Sequence, residues 1–566
     1  MTASAAPNRH SESMQRSALR RLRIAVATAL FAGLVSTLVG PHGRAQETVG
    51  HWLASTQFVA SLLAVATGAS LSLACILIVV AALLIGRVYC AAVCPFGVFQ
   101  DIIARIADSI RRRKGILPYA PPLTWIRQLF LWGSVATVLM GFGGFTIALL
   151  DPYGNFGRIV SILFRPLIGT ADRAAAGAAQ LAGIPWHASP ALPWGGLGVV
   201  ALPAAILSLI IVLAAFRGRL YCNTVCPVGA LLGLFSRRAA FRITIDRRTC
   251  RKCGECLRAC KAQCIDLRNS AIDYSRCVAC CDCLGVCENH SVEYRFAWKR
   301  DTGHGSAPLS SPIDSAKQPV SNTVADPQRR TFIATAAVAI VASIGGAKLT
   351  AAEKPNDQPL KRGQQNRLLR PISPPGSVSV DRFLARCVSC QLCVGACPTN
   401  VLQPSFREYG LSGVSKPHLD FSTGACEFDC RRCGEVCPSG AIGLLDLAEK
   451  QATRIGVVHF EASKCLVLTS GTACTICSEK CPTKAVRTVP VSGGLRLPEI
   501  QPLLCIGCGT CEHACPAKPQ RAITVIGRRY HNRARKAVEG RIAAPATASI
   551  SSVVRSTSQK REPVIM

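Results

Sequence analysis

Acidic and aromatic residues are scarce in this chain of 566 residues. It has 32 Asp and Glu against 65 Lys and Arg, a formal net charge of +33, and only 6% Phe, Trp and Tyr. So basic a chain suggests a nucleic-acid partner, but no basic stretch is interleaved with stacking aromatic residues. Many of the Lys and Arg instead flank apolar segments, as in membrane proteins. We therefore expect no nucleic acid to bind.

Several cofactor and catalytic motifs are also missing. No Cys-x-x-Cys-His stretch is present to attach a c-type haem. No Gly-x-Gly-x-x-Gly follows a strand-like run, so neither a nicotinamide nor a flavin cofactor is expected. No arrangement of Ser, His and Asp typical of hydrolases is recognisable. The sequence thus offers no site for transforming a substrate.

Hydrophobic residues, in contrast, make up 49% of the chain. Four apolar runs have the length of a membrane helix, which needs about 20 residues. They cover residues 22–40, 57–86, 124–150 and 196–216. The second is interrupted at Gly68, so a short re-entrant piece is expected before a span over roughly 69–86. No histidine lies in these runs, and a b-type haem inside the bilayer is not expected.

Positive charge is distributed unevenly between the loops. Lys and Arg cluster before the first span, in the 87–123 loop and after residue 217. The positive-inside rule assigns these segments to the cytoplasm and the two other loops to the opposite side. A secretory signal is the alternative for residues 22–40, but the further spans and the lack of a clear cleavage site favour an anchor.

One phrase occurs twice, each time directly after an apolar run. Residues 86–97 read GRVYCAAVCPFG, and residues 218–229 read GRLYCNTVCPVG. Two thiols spaced i, i+4 point the same way on a helical turn, which a proline then ends. Packed spans would unite both corners into a further redox or cluster site of four cysteines: Cys90, Cys94, Cys222 and Cys226. The alternatives are a disulfide relay, which a reducing cytoplasm disfavours, and two structural turns with inert thiols.

The most specific signal is Cys-x2-Cys-x2-Cys-x3-Cys, found at residues 250–260 and again at 277–287. In ferredoxins of this spacing, three cysteines of a run bind one [4Fe–4S] cluster and the fourth binds the other. One cluster is thus predicted on Cys250, Cys253, Cys256 and Cys287. The other is predicted on Cys277, Cys280, Cys283 and Cys260. Zinc is the alternative, which crossed runs disfavour, although Lys261 and Glu288 replace the usual proline.

Residues 301–328 are rich in Gly, Ser and Pro, as flexible linkers are. Arg329 and Arg330 then precede a modest apolar run, which indicates a twin-arginine signal or anchor over residues 329–350. An Ala-rich helix with flanking arginines is the alternative. A domain that acquires its clusters in the cytoplasm has to cross the membrane folded, which is the task of this export route.

Four more cysteine runs follow, the second opening with x3 and the third with x8 in place of x2. They are Cys387, Cys390, Cys393 and Cys397; Cys426, Cys430, Cys433 and Cys437; Cys465, Cys474, Cys477 and Cys481; and Cys505, Cys508, Cys511 and Cys515. These runs indicate four further [4Fe–4S] clusters, about six in total. The spacing leaves open whether adjacent runs or nested runs, first with fourth and second with third, exchange their last cysteines.

The fold class expected is an α-helical membrane domain plus α+β bacterial-type ferredoxin domains. The domains are the membrane domain 1–240, a two-cluster ferredoxin 241–300, the linker 301–328, the export segment 329–350, a four-cluster ferredoxin 351–528 and a basic disordered tail 529–566. All but three of the 31 cysteines are then used. We expect the remaining Cys75, Cys264 and Cys281 to be structural.

Residues about 20–300 resemble the NapH/MauN-type membrane ferredoxins, which share the four spans, the two Cys-x3-Cys-Pro corners and a cytoplasmic two-cluster ferredoxin. The corners also resemble those of NosR-type proteins. Residues about 328–526 resemble the NapG/MauM-type exported ferredoxins, with their twin-arginine leader and four cysteine runs. Here the two are fused in one polypeptide. The resemblance implies electron transfer between membrane quinol and a periplasmic reductase or dehydrogenase, nitrate reductase being the best-known case.

The sequence therefore predicts an electron carrier of the bacterial inner membrane, without a substrate-transforming site of its own. Quinol or a cytoplasmic electron donor would feed the multi-pass membrane part. The two-cluster domain would be cytoplasmic, and the four-cluster domain would serve a periplasmic redox enzyme. The alternative is a maturation or reactivation factor for a periplasmic metalloenzyme.

Overall fold

The computed structural model describes residues 9–40, 43–66, 73–110, 119, 121–140, 143–182, 196–297, 371–491 and 494–534. The predicted linker 301–328, the predicted export segment 329–350 and most of the predicted tail lie outside the described residues. The described chain falls into an N-terminal unit, residues 9–297, and a C-terminal unit, residues 371–534.

The first 240 residues are helical over most of the part that the structure describes. Helices α1 to α13 are Arg9–Val39, Arg44–Ser55, Phe58–Ala66, Ala74–Ile85, Val88–Ala92, Pro95–Ile110, Thr124–Leu139, Gly143–Leu150, Pro152–Arg158, Arg165–Leu181, Leu197–Arg217, Leu220–Thr224 and Pro227–Ser236. A π-helical turn, Ile159–Phe164, joins α9 to α10.

Two described helices are long and apolar enough to cross a membrane, Ala18–Val39 and Leu197–Arg217. Each of the other two predicted spans contains two shorter described helices. The run 57–86 contains the short helices α3 and α4, and the run 124–150 contains α7 and α8. Helix α4 has 12 residues, about 18 Å of helix, against a bilayer core of about 30 Å. An apolar run does not by itself mark where a helix ends, and α8 begins at the weak helix formers Gly143 and Gly144.

The repeated phrase folds the same way in both copies. Helices α4 and α11 end at Gly86 and Gly218, whose φ angles of 84° and 56° suit glycine. The cysteine pairs follow on the short helices α5 and α12, and proline then begins α6 and α13. The copies pack crosswise, because α6 contacts α11 and α13 contacts α4. This packing brings both corners to one place.

Residues 241–297 combine short helices with antiparallel strand pairs. Strand β1, Phe241–Ile245, pairs with β4, Val292–Phe296, and β2, Ile265–Asp266, pairs with β3, Ala271–Ile272. Each cysteine run leads into one turn of helix, α14 at Glu255–Ala259 and α15 at Asp282–Gly285. The α+β architecture expected for the ferredoxin domains is confirmed.

The C-terminal unit uses the same kinds of elements. Its strands β5 to β10 are Leu402–Pro404, Pro417–Leu419, Thr453–Phe460, Val486–Pro490, Arg496–Ile500 and Ile523–Arg533. The pairs β5–β6, β7–β10 and β8–β9 are antiparallel. Its helices α16 to α22 are Val380–Arg386, Leu392–Ala396, Arg432–Glu435, Leu447–Ala452, Leu466–Thr469, Ile476–Glu479 and Thr510–Ala514, with 3-10 turns at Leu411–Gly413 and Ala462–Lys464. One buried core runs from Phe156 of the N-terminal unit to Phe383 of the C-terminal unit.

Candidate iron–sulfur sites

The two-cluster ferredoxin gathers its cysteines in two groups. Site 1 consists of Cys250, Cys253, Cys256 and Cys287. Burial, and then the neighbouring thiolates of Cys250, Cys287 and Cys253, raise the pKa of the Cys256 thiol to about 11. Cys287, the last cysteine of the second run, therefore lies beside the first run. This crossed placement is the one that the ferredoxin spacing predicts.

Site 2 consists of Cys260, Cys277, Cys280 and Cys283. All four line one cavity with an empty volume of about 330 Å³, together with apolar residues such as Ile265 and Val278. Cys264 also lines this cavity, with its Sγ 3.5 Å from the Sγ of Cys260. Cys264 was predicted to be structural, although its i, i+4 spacing from Cys260 repeats the spacing of the corner cysteines.

In the C-terminal unit, the first two runs exchange their last cysteines. Site 3 consists of Cys387, Cys390, Cys393 and Cys437, and site 4 of Cys397, Cys426, Cys430 and Cys433. Burial, and then the thiolates of Cys387, Cys390 and Cys437, raise the pKa of Cys393 far above its ordinary value. Burial, followed by Cys426, Cys430 and Cys397, does the same to Cys433.

The third and fourth runs make the same exchange. Site 5 consists of Cys465, Cys474, Cys477 and Cys515, which together line a cavity with an empty volume of about 400 Å³. Site 6 consists of Cys481, Cys505, Cys508 and Cys511. Burial, and then the thiolates of Cys508, Cys505 and Cys481, raise the pKa of Cys511 well above its ordinary value. The structure therefore has adjacent runs paired, and not the nested order.

The sites of the C-terminal unit neighbour one another in the order 3, 4, 6 and 5. Cys433 of site 4 is among the thiolates that raise the pKa of Cys393 in site 3, after burial. The backbone N–H of Cys426 in site 4 donates a 3.0 Å hydrogen bond to the carbonyl of Cys508 in site 6. The thiolate of Cys477 in site 5 is in turn among those that raise the pKa of Cys511 in site 6, after burial.

The corner cysteines also meet in one group, termed the corner site and consisting of Cys90, Cys94, Cys222 and Cys226. All four are buried, and none of them forms a disulfide in this structure. Burial, followed by Cys222 and Cys90, raises the pKa of Cys94 well above its ordinary value. Burial, followed by Cys222, raises that of Cys226 too.

An arginine of each copy reaches across to the other copy. Arg219 Nη1 donates a 2.6 Å hydrogen bond to the carbonyl of Cys90, and Arg87 Nη2 donates one of 3.2 Å to the carbonyl of Cys222. The glycine two residues after each proline faces the cysteine carbonyl of its own copy, which is the carbonyl that accepts the arginine bond. A Cβ atom on this glycine would come closer than 3.0 Å to that carbonyl oxygen. Arginine, cysteine and glycine of the repeated phrase thus serve one packing arrangement.

The two arginines differ in their partners. Arg219 forms a two-pronged ion pair with Asp101, with both N–O distances at 2.8 Å. Burial raises the pKa of Asp101, but Arg219 and Lys261 outweigh it and hold that pKa well below its ordinary value. Arg87 is fully buried, hydrogen-bonds to neutral groups including Asn223, and places Nη2 3.9 Å from the Sγ of Cys90. A buried cation needs a nearby anion, which metal-bound thiolates of the corner site would provide.

The corner site adjoins site 2. The backbone N–H of Arg219 donates a 3.2 Å hydrogen bond to the carbonyl of Lys261. The side chain of Asn223 donates a 3.3 Å bond to the carbonyl of Ala262. The acceptors are the first and second residues after Cys260, and the donors lie three residues before Cys222 and directly after it. One layer of hydrogen bonds therefore separates the two thiol groups.

Residues 151–158 lie between the corner site and site 3. Tyr221, beside Cys222, donates a 3.4 Å hydrogen bond to the carbonyl of Leu150. Asp151 caps α9 by accepting a 2.8 Å bond from the Gly154 N–H. Burial and the neighbouring Cys390 thiolate raise the pKa of Tyr153 far above its ordinary value. No functional segment was predicted here, and the signal in the sequence is an Asp-Pro helix start followed by two glycines three residues apart.

The two ferredoxin regions contact different segments of the helical region. Asp282 of site 2's loop forms ion pairs with Arg20 and Arg23, at 3.2 and 3.3 Å. In the C-terminal unit, Arg432 pairs with Glu47 at 3.4 Å, and the carbonyl of Gly395 accepts a 3.4 Å bond from Arg165. Charge counting assigns these two sets of segments to opposite sides of the membrane.

The thiols are spaced for something larger than one ion. Across the described ranges, no three His, Cys, Asp or Glu residues are gathered tightly enough to hold a single metal ion. A zinc site would hold four ligands around one ion, with sulfur about 2.3 Å from it. Sites 2 and 5 instead surround cavities with four cysteines each. This arrangement fits an iron–sulfur cluster, and the donor set is the one such clusters use.

Known protein families point to the same chemistry. The 4Fe-4S binding domain model matches residues 67–116 and 199–245, and the 4Fe-4S dicluster domain model matches 386–442 and 471–519. The methylamine utilization ferredoxin-type protein MauM of Paracoccus denitrificans is 33% identical over 193 residues, which cover 32% of this chain and 80% of that protein. The chain belongs to the MauM family of ferredoxin-type proteins.

This MauM-family chain is also similar to two ferredoxin-type proteins of Escherichia coli K12. NapF is 28% identical over 138 residues, or 24% of the chain and 76% of NapF. NapG is 31% identical over 150 residues, or 24% of the chain and 63% of NapG. No solved structure matches the chain. These relatives and the two family models support an iron–sulfur electron carrier.

Proposed function

We propose that this MauM-family protein conducts electrons through the bacterial inner membrane. In this proposal, a NapH/MauN-type membrane ferredoxin and a NapG/MauM-type exported ferredoxin are fused in one chain. Quinol or a cytoplasmic donor supplies the N-terminal unit, and the C-terminal unit serves a periplasmic redox enzyme. The fusion gives the two modules a high effective concentration for each other.

One observation carries the proposal. Neighbouring groups of four thiols form a spatial series that joins the two-cluster ferredoxin to the C-terminal unit. Site 1 shares the two-cluster ferredoxin with site 2, and site 2 adjoins the corner site. Residues 151–158 connect the corner site to site 3, which leads to sites 4, 6 and 5. A bound iron–sulfur cluster supplies one-electron transfer at a potential that its surroundings set.

The protein's own residues hold and tune these centres. The 24 cysteines of sites 1 to 6 are the proposed ligands of six [4Fe–4S] clusters. Basic side chains stand beside several of them. Burial lowers the pKa of Lys416 to about 8, and the Cys387 thiolate opposes this effect. Lys450 likewise acts on Cys426, where it opposes the burial that raises the pKa of that thiol. These cations compensate the negative charge that bound thiolates carry.

Two observations support a membrane topology with the ferredoxin regions on opposite sides. The basic start of the first predicted span, at Arg20 and Arg23, contacts the two-cluster ferredoxin, and Arg165 of a connection poorer in Lys and Arg contacts the C-terminal unit. We propose a cytoplasmic location for the first and a periplasmic location for the second. The twin-arginine segment 329–350 would carry the C-terminal unit across. A reporter fused after residue 240 should then be cytoplasmic, and one fused after residue 530 periplasmic.

The decisive functional test is turnover of a mature periplasmic redox enzyme of the source bacterium, with quinol as sole donor. We expect turnover to depend on the protein. Unchanged turnover without it would contradict the conduit and favour the maturation factor. In a second assay, Arg329→Lys with Arg330→Lys should retain the C-terminal reporter in the cytoplasm. A periplasmic reporter in that variant would show that another export route is used.

A further inference from the structure

Three glycines of the N-terminal unit leave room for one loop of the C-terminal unit. A Cβ atom on Gly144 would come closer than 3.0 Å to the carbonyl oxygen of Leu384. Cβ atoms on Gly154 and Gly157 would come equally close to the carbonyls of Val388 and Cys390. Real Cβ atoms essentially never approach other atoms this closely. Any side chain at these positions would therefore push the loop away.

These glycines form a continuous surface. Gly154 and Gly157 are spaced i, i+3 on α9, so they lie on the same face of the helix. Gly144 stands near the start of α8, one helix earlier. The segment 152–160 is buried, with Phe156 packed against Phe31 of the N-terminal unit and the glycines of α9 packed against the C-terminal unit.

Polar contacts at the edge fix the register of the loop. Lys416, which is fully buried, donates a 3.3 Å hydrogen bond to the carbonyl of Gly144 and a second bond to the carbonyl of Leu384. One ammonium group therefore links the glycine surface to the loop that rests on it. Arg165 reaches the carbonyl of Gly395 in the following helix α17, and the Arg432–Glu47 ion pair adds a further contact.

We propose that Gly144, Gly154 and Gly157 form a docking seat for the loop Leu384–Cys390. The seat holds the C-terminal unit permanently on the N-terminal unit, with site 3 facing residues 151–158 and the corner site. Insofar as the proposed electron conduit is correct, site 3 is the point where the two units exchange electrons. The glycines are positioning residues in this account, since none of them binds a cluster.

The seat can be tested by separating the two units. A protease site is inserted within residues 351–370 of the full cluster-loaded chain, and the cut protein is passed over a column at increasing dilution. The fraction of C-terminal unit retained by a tag on the N-terminal unit gives an apparent Kd. Gly154→Ala with Gly157→Ala should raise this Kd about tenfold or more, because overpacking at two buried contacts is costly.

The matched control is Gly169→Ala with Gly177→Ala on the neighbouring helix α10, where nothing lies within 4 Å of an added Cβ. The control should keep the wild-type Kd. Electron paramagnetic resonance (EPR) should show the same reduced clusters in both proteins, which separates lost docking from lost folding. An unchanged Kd in the seat variant, or an equal rise in the control, would overturn the proposal. If the electron conduit is wrong and the docking seat is right, quinol-linked turnover should be absent while the Kd values of the seat variant and the control stay as predicted.

Discussion

Arg219 donates a 2.6 Å hydrogen bond to the carbonyl of Cys90, a residue of the other copy of the repeated phrase. Arg87 makes the reciprocal contact, because it donates a hydrogen bond to the carbonyl of Cys222. Each corner is thus held by the arginine of its partner, and neither corner can keep its geometry alone. This reciprocity makes four thiols from two distant segments into one candidate centre.

The corner cysteines should therefore act as a unit. Cys94→Ser alone should slow quinol-linked electron transfer about as much as Cys94→Ser with Cys226→Ser, because effects within one unit are not additive. We expect a loss of about tenfold or more in both. Cys75→Ala, a buried cysteine outside every site, is the control and should keep full transfer. Full activity in the double variant would show that the two cysteine corners are only structural turns.

The Asp101–Arg219 pair should be essential for the stability of the N-terminal unit. Asp101→Asn leaves a buried guanidinium without its carboxylate, a change that typically costs about 3–5 kcal/mol. Glu255→Gln removes the exposed pair with Arg258 and should cost less than about 1 kcal/mol. Thermal unfolding of the two variants in detergent compares them. Equal melting temperatures would show that the buried pair contributes little.

The same pair has a defined pH dependence. Its partners hold the pKa of Asp101 below the ordinary value of 3.8. The pair therefore stabilises the fold above pH about 4, and its contribution is lost as the pH falls through the lower folded-state pKa. Wild-type stability should fall more steeply than that of Asp101→Asn on acidification below pH about 4. Parallel acid profiles would contradict this assignment.

The sequence predicts the cysteine groups better than the helices around them. Cys250 to Cys287 carry a spacing whose crossed pairing follows from the geometry of a cluster, and the structure brings those cysteines together as predicted. The apolar run 124–150 carries no sign that Gly144 must admit the Leu384 carbonyl. Long-range contacts of this kind are not encoded in hydropathy.

The pairing of the cysteine runs in the C-terminal unit could not be predicted from the sequence for a similar reason. All four runs have equivalent last cysteines, so only the folded positions of Cys397 and Cys437 decide between adjacent and nested exchange. The corner site was easier to predict from the sequence. The two cysteine pairs have the same spacing and were assigned to one side of the membrane, which already suggested that Cys94 and Cys226 lie together. The role of Arg87 as a reciprocal brace was not foreseen, because its acceptor is a backbone carbonyl.

The exchange of last cysteines can be read by spectroscopy. Cys437→Ser should alter the same EPR signal as Cys390→Ser, because both residues belong to site 3. Cys397→Ser should instead alter the signal that Cys430→Ser alters. The nested order would make Cys515→Ser, and not Cys437→Ser, match Cys390→Ser. Each variant is compared at equal protein concentration after full reduction.

Cys264 should tune site 2. Its thiol lies 3.5 Å from the Sγ of Cys260 and can donate a hydrogen bond to a ligand thiolate. Hydrogen bonds to cluster sulfurs stabilise the more negative, reduced state and raise the potential. Cys264→Ala should lower the midpoint potential of one cluster by tens of millivolts, where about 59 mV is a tenfold change for one electron. A potentiometric titration in which every midpoint stays constant would rule this role out.

Iron content tests the number of centres. Six [4Fe–4S] clusters require about 24 iron atoms per chain, and a cluster at the corner site would add to that number. The excess over 24 should disappear in Cys94→Ser with Cys226→Ser and persist in Cys75→Ala. Zinc in place of iron, or iron for only two clusters, would refute the assignment of the six sites.

The central claim is that electrons cross from the N-terminal unit to the C-terminal unit through the corner site. It is tested most directly by rapid-freeze EPR of the full cluster-loaded chain after mixing with a reduced quinol. Signals of sites 3 to 6, identified through their cysteine variants, should appear in the wild type and in Cys75→Ala. They should be delayed about tenfold or more in Cys94→Ser with Cys226→Ser. Equal rates in the wild type and the corner variant would contradict the account.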